Sequence, residues 1–357
     1  MLLERHNPVA KTLNTLLAIP CICQSQRMKL VSWLGVVLVS GGCGGAMSGP
    51  DAGSGGGTAS GAGHFTYGFQ DKVFRIEARI GATTENVSTS LARFGMGTRD
   101  RWLVPSLDGA WLALSTDRLT CSMGECLAVT PRDLSSLTLV TPGGMELSVE
   151  GTPAITIAGD TIIYSSQEGP HQVDLWLTKK SGSTWGAATL LTGGSSAAYN
   201  NMPALTFDER RVLFDCGAEA YPESGNTDAC EVRLDGTGFK VLVRPSTLPN
   251  TRENFVQFPH DSLDGVLFQG SWPIASSTPE TIWLLPTTGA PTPIGRALEN
   301  SVSPCGLRDG RIGLLWLGRQ GNAAGAHELT LAGRDGAFLG SLTPGVDVSD
   351  IGIGCSD

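Results

Sequence analysis

Trp102-Leu-Val-Pro-Ser-Leu-Asp-Gly-Ala-Trp-Leu-Ala-Leu-Ser-Thr-Asp117 reads as two apolar runs folded about an Asp-Gly pair. That is the signature of a β-hairpin, because Asp and Gly accept the tight-turn backbone that closes two alternating strands. The same grammar returns as Thr152 to Ser166, as Met202 to Asp208 followed by Val212 to Asp215, as Phe255 to Phe258 with Asp264 to Phe268, and as Ser303-Pro304 with Asp309 to Trp316. Aligning Pro105, Pro153, Pro203, Phe255, Pro304 and Asp350 gives a period of about 50 residues, in the range of propellers and solenoids. A third strand follows each hairpin, such as Val173 to Thr178, Cys230 to Leu234, Thr281 to Leu285 or Glu328 to Leu331. A shorter fourth comes near Thr189, Phe239 and Ala337. Four antiparallel strands per repeat make a propeller blade.

Five whole repeats leave the C-terminal run Val348 to Gly354 without a blade, and residues Phe65 to Ile80 without an inner partner. Joining them predicts an all-β propeller of six four-stranded blades, closed by pairing N-terminal strands with the C-terminal strand, with seven blades as the alternative count. Composition agrees: 47 Gly and 20 Pro suit many short strands and turns, only 17% of residues are charged, and no long helical period occurs.

The chain is 357 residues long with a formal net charge of -9 and no basic cluster, which excludes a nucleic-acid partner. Residues 64–357 are assigned to the propeller and 44–63, rich in Gly, Ser and Ala, to a flexible tether. Upstream, Lys29 precedes the apolar run Leu30 to Val39, and Ser40-Gly41-Gly42 leads into Cys43. This pattern resembles a bacterial lipoprotein signal, which implies a signal peptide over 28–42 and lipidation of Cys43, so that the membrane is met through the lipid. Met28-Lys29 opens a signal of ordinary shape, so residues 1–27 are expected to be an upstream extension from a misassigned start. Gly44, rather than Asp, after the cysteine implies the outer membrane over the inner one, by analogy with lipoprotein sorting.

Six cysteines remain in the exported domain: Cys121, Cys126, Cys216, Cys230, Cys305 and Cys355. Six cysteines allow 15 pairings. Strand placement favours Cys121 with Cys126, Cys216 with Cys230, and Cys305 with Cys355, the last locking the ring.

The proline, Asp-Gly and third-strand pattern, clearest in Asp174-Leu-Trp-Leu-Thr-Lys-Lys-Ser-Gly-Ser-Thr-Trp185-Gly186, resembles the TolB-type, WD-like repeats of bacterial envelope proteins. The resemblance covers roughly residues 100–357 and marks a blade rather than an activity. It implies a monomeric binding or scaffold module of the cell envelope, facing the periplasm or the surface, that holds a protein, peptide or glycan.

No nucleophile elbow, zinc-protease motif or phosphate-cradling loop is present, so no catalytic residue is assigned and the reading is of a non-enzyme. His171 and His260, each beside a proline, read as solvated loop histidines. Trp102, Trp111, Trp176, Trp283 and Trp316 read as packing between blades. Short turns separate first from second strands, whereas the second-to-third connections are long: Thr116 to Glu125, Cys216 to Ala229, Gly270 to Pro279 and Leu317 to Gly325. Long loops on a rigid scaffold are where binding residues concentrate. Just ahead of the inner strands stand Asp100, Glu150, Asn201, Glu253, Glu299 and Asp347, five of them acidic. These are candidate ligands at the channel rim. They keep open an alternative, a Ca2+-dependent hydrolase of lactonase or esterase type; no other cofactor is expected.

Overall fold

In the computed structural model the described residues are 63–147, 151–217, 227–245, 256–271, 280–294, 301–316, 327–348 and 352–357. They form six antiparallel sheets around one axis. Blade 2 holds Asp100–Pro105, Trp111–Thr116, Cys126–Pro131 and Thr138–Leu139, from axis to rim. Blade 3 holds Ala154–Ile155, Thr161–Ser166, Asp174–Ser181 and Thr189–Leu190, and its long third strand also pairs with Thr184–Trp185. Blade 4 holds Tyr199–Leu205, Arg211–Gly217, Thr227–Arg233 and Lys240–Val243. Blades 5 and 6 repeat the order from Val256–Ser262 to Thr292–Pro293 and from Ser301–Gly306 to Phe338–Ser341.

Blade 1 is composite. Its outer strands, His64–Phe69, Lys72–Glu77 and Glu85–Asn86, come from the N-terminal side, and its innermost, Gly354–Ser356, from the C-terminus. His64 pairs with Ser356 and Thr66 with Gly354, so no strand edge is left open where the ring closes. The link to blade 2 carries a short helix, Val87–Leu91, whose first turn is capped by Asn86 accepting from the Thr89 amide at 3.0 Å.

The core is six wedges. Each apolar cluster sits between two neighbouring blades: Val73 and Leu91 against Leu112, Ala113 and Val129 against Ile162 and Tyr164, Ile163 and Leu175 against Phe214, Val243 against Phe268 and Trp283, Leu267 against Leu314, and Phe65 and Tyr67 against Leu315 and Leu331. Alternation along each strand sends one row of side chains to each neighbour, which is why the strands read as apolar on both faces. Trp283 stacks on Phe268 at 6.4 Å, and Trp316 tilts onto Phe338 at 5.1 Å. Trp111 of blade 2 lies against Gly159 in the blade 3 hairpin, where φ is +68° and any Cβ would meet the indole. That turn needs glycine twice over, for its backbone and for its neighbour.

The hairpins follow a local hydrogen-bond logic. Asp108 accepts from the Ser106 hydroxyl at 2.7 Å and the Ala110 amide at 3.0 Å, while Ser106 Oγ accepts from the Trp111 amide. Thr206, Asp208 and Arg211 reproduce this in blade 4. The Asp208 carboxyl is accordingly held below the usual range by the Thr206 hydroxyl.

Candidate functional site: the central channel

Four inner strands slip register by one residue near the axis, between Arg101 and Val104, Asn201 and Ala204, Gln257 and His260, and Val302 and Cys305. At each bulge one residue adopts left-handed backbone: Trp102, Met202, Phe258 and Ser303, with φ of 51° to 56°. In three of the four the next residue is proline, which has no amide for the ladder to lose. The bulges correct the repeat alignment. Pro203, Pro259 and Pro304 are equivalent, so blade 5 has its proline four residues after Phe255, and Leu103 rather than Pro105 takes that place in blade 2.

Two of the bulge amides find partners on the neighbouring blade. The Phe258 amide donates to the Asp215 carboxylate at 2.7 Å, and the Ser303 amide donates to Gln269 Oε1 at 3.2 Å. Asp215 and Gln269 sit on the second strands of blades 4 and 5. Burial pushes the Asp215 carboxyl well above its ordinary range, and the Phe258 amide offsets this only in part.

Between the bulges lies a cavity of about 60 Å³, room for a few waters, walled by all six blades through Val104, Ile155, Met202, Phe258, Pro304 and Ile353 among others. The wall is mainly apolar. Its notable polar feature is His260, on the inner strand of blade 5, beside the Cys305–Cys355 bridge that joins blades 6 and 1. His260 Nε2 lies 3.2 Å from Cys305 Sγ and 3.9 Å from Cys355 Sγ, while Nδ1 is 3.0 Å from the Asp261 carbonyl. Burial lowers the His260 pKa, so the ring is neutral at physiological pH.

One end of the channel is crossed by Arg308. From the blade 6 hairpin its Nη2 donates to the Phe207 carbonyl of blade 4 at 2.9 Å, its Nε lies 3.3 Å from Asp357 of blade 1, and its guanidinium stands 5.5 Å from the Phe207 ring. Carboxylates of following blades cap the hairpin amides at this end. Glu209 accepts from Ile157 and Asp261 from Phe207, both at 2.6 Å, and Asp357 accepts from Arg308 at 3.0 Å. Burial first, then Asp108 and Asp160, raises the Glu209 carboxyl.

Six blades, a composite closing blade and a central channel can be set against known folds. TolB from Acinetobacter baumannii superposes with a TM-score of 0.56 at 13% identity, over 82% of this chain and 66% of that one. The fold is that of a TolB-type β-propeller. A putative TolB from Agrobacterium tumefaciens aligns at 18% identity with a TM-score of 0.47, over 64% of this chain and 76% of that one. Hydrazine synthase from Kuenenia stuttgartiensis aligns at 10% identity with a TM-score of 0.50, over 81% and 46%. The chain therefore spans just under two thirds of the Acinetobacter protein. No family model and no curated protein matches the sequence.

Three of the six predicted rim residues lie among the described residues. Asp100 is fully buried and committed: Arg118 grips it at 2.7 to 2.9 Å and the Thr116 hydroxyl donates at 2.7 Å. Asn201 donates to the Tyr199 hydroxyl at 2.6 Å and accepts from the Met202 amide. Asp347 is exposed and accepts from the His327 amide at 2.9 Å. Glu150, Glu253 and Glu299 lie outside the described residues, as do Phe255, Asp350 and most of three long loops. The three disulfides join Cys121 to Cys126, Cys216 to Cys230 and Cys305 to Cys355.

The reading as solvated loop histidines fails for His260 and holds only in position for His171, which lies in a bend before its strand. His260 is in an inner strand at the channel, and His171 holds Asp174 at 2.7 Å, where Thr192 also donates at 2.6 Å. Trp102 is a bulge residue whose ring lies near Gly352, just ahead of the C-terminal strand of blade 1, a contact between neighbouring blades. Arg308 carried no sequence signal, because its partners Phe207 and Asp357 are brought to it only by ring closure. Among the described residues no helix is long and apolar enough to cross a membrane. Cys43, the tether and the signal segment lie outside them.

Proposed function

We propose that this is a binding module of the bacterial envelope, carried on a lipid at Cys43 in the outer membrane and holding a protein partner on its long-loop face. The reading is carried by where the chain enters the ring. His64 pairs with Ser356, and the Asp357 amide donates to the Leu107 carbonyl at 2.8 Å, so the tether joins the ring at the short-hairpin end. Arg308 crosses the channel at that same end. A tether of about 20 residues, on the order of 25 Å in root-mean-square span, then leaves the opposite face free of the attachment point. That face carries the second-to-third connections, including the disulfide-pinned loop Thr116 to Cys126 with Met123 exposed at its tip. Its occupant on this reading is a protein segment rather than a metal-activated substrate, because Asp100 is already neutralised by Arg118.

The test is a photo-crosslinking residue placed in cells at Met123, and in a second strain at Gly182 in a turn of the short-hairpin end. A discrete crosslinked partner from Met123 and none from Gly182 is expected. The reverse pattern would overturn the orientation. Saturable Ca2+ binding in a titration of chelator-treated protein would instead favour the hydrolase reading.

A further inference from the structure

We propose that His260, Cys305 and Cys355 form, in the dithiol state of the chain, a Cys2His site for a soft divalent cation of the zinc class. The site lies in the channel wall and would hold the C-terminal strand to blade 6 in place of the disulfide. The argument starts from spacing. Zinc bonds of about 2.3 Å to sulfur and about 2.0 Å to nitrogen at tetrahedral angles place nitrogen and sulfur ligands roughly 3.5 Å apart. His260 Nε2 stands 3.2 and 3.9 Å from the two sulfurs, on either side of that value. Only the sulfurs have to move, and their Cα atoms, 6.0 Å apart, let side-chain rotation separate them.

The imidazole is also oriented as a ligand. Nδ1 lies 3.0 Å from the Asp261 carbonyl, which only accepts, and 3.4 Å from the Gly306 amide, which only donates; the shorter contact favours the proton on Nδ1 and the lone pair of Nε2 toward the sulfurs. Such an outer hydrogen bond is the usual support of a metal-binding histidine. With the bridge intact, Nε2 faces sulfur atoms that have no proton to give it. The cavity of about 60 Å³ beside Cys355 and His260 leaves room for water as the fourth ligand.

The chemistry balances without an oxidant. A chain not yet oxidised carries both thiols, and a formed bridge is opened by a dithiol or phosphine reductant that supplies two electrons while two protons are taken up. The cation then displaces the two thiol protons and keeps its oxidation state. Disulfide and metal are thus alternative closures of one junction.

The test is titration of the reduced full chain with Co2+ alone, read by the charge-transfer and ligand-field bands of thiolate-bound tetrahedral cobalt. One such ion per chain is expected, with affinity at least tenfold weaker in His260→Ala and the bands lost in Cys305→Ser/Cys355→Ser. His260→Ala retains the disulfide, so its fold can be verified before reduction. As a second measurement, Zn2+ added before alkylation should protect Cys305 and Cys355 in the parent chain and leave them reactive in His260→Ala. Bands that persist unchanged in the double serine variant, equal affinity in His260→Ala, or no protection by zinc would each overturn the proposal.

Discussion

The junction between blades 6 and 1 and the junction between blades 4 and 5 bury their residues in different ways. Among the described residues the first has fourteen buried members in its wedge and a disulfide across it. The second has five, supplemented by carboxylates accepting from backbone amides: Asp215 from Phe258 and Asp261 from Phe207. The covalent chain runs through both junctions, passing from the outer strand of one blade to the innermost strand of the next. At the first, that innermost strand, Gly354–Ser356, meets the rest of its blade only by non-covalent pairing with His64–Phe69, and opening this pairing exposes two strand edges at once. Apolar area and a disulfide are concentrated beside the seam that no backbone crosses.

That contrast can be broken most severely at the disulfide. Replacing Cys305 and Cys355 with Ala releases a closed segment of 50 residues and should cost about 4–5 kcal/mol, measured by denaturant unfolding under oxidising conditions. The Cys121–Cys126 bridge, with a separation of 5, should cost about half of that. Next in size, Arg118→Met leaves the Asp100 carboxylate buried without its partner and should destabilise by about 3–4 kcal/mol. A replacement at the exposed Arg79–Glu77 pair should change stability by less than about 1 kcal/mol.

A smaller effect sharpens the polar junction. The Asp215 carboxyl has a raised pKa in the fold, so its contribution is present below the ordinary carboxylate range and is lost as the pH rises toward the folded value. Asp215→Asn keeps an oxygen for the Phe258 amide and removes the ionisation. Its stability, followed by thermal and denaturant unfolding, should match the parent at about pH 4 and exceed it increasingly toward about pH 8, by on the order of 1 kcal/mol. A constant difference across that range would sink this account of the junction.

Smallest is the response of His260. Its pKa is lowered in the fold, so stability is complete above the ordinary histidine value of about 6.5 and declines as the pH falls below it, when the unfolded chain binds the proton first. His260→Leu should remove that component of the acid response between about pH 7 and pH 5, seen as a flatter dependence of melting temperature on pH.

The architecture was legible because a propeller blade is a local object. Hairpin turns written as Ser-Leu-Asp-Gly or Thr-Phe-Asp-Glu, and strands such as Asp174-Leu-Trp-Leu-Thr, are set by residues adjacent in sequence, so repetition announces both the blade and the ring. The bulges were less legible. A proline marks them in three blades but Leu103 does so in blade 2, and the sequence reading anchored on Pro105, two residues further on. Asp100 shows the limit at the site itself. An acidic residue ahead of an inner strand reads as a rim ligand, yet Arg118, eighteen residues later, folds back onto it.

By itself, then, the sequence determined the blade, the number of blades, the composite closure and the positions of the cysteines, since each depends on short-range pattern or on counting. Only the tertiary structure decided that His260 faces the Cys305–Cys355 disulfide, that Arg308 crosses the channel to Phe207, and that Asp215 sits beneath the Phe258 amide. Each of those contacts joins different blades, and their geometry is fixed by how six wedges pack around an axis, a quantity no local stretch of chain encodes.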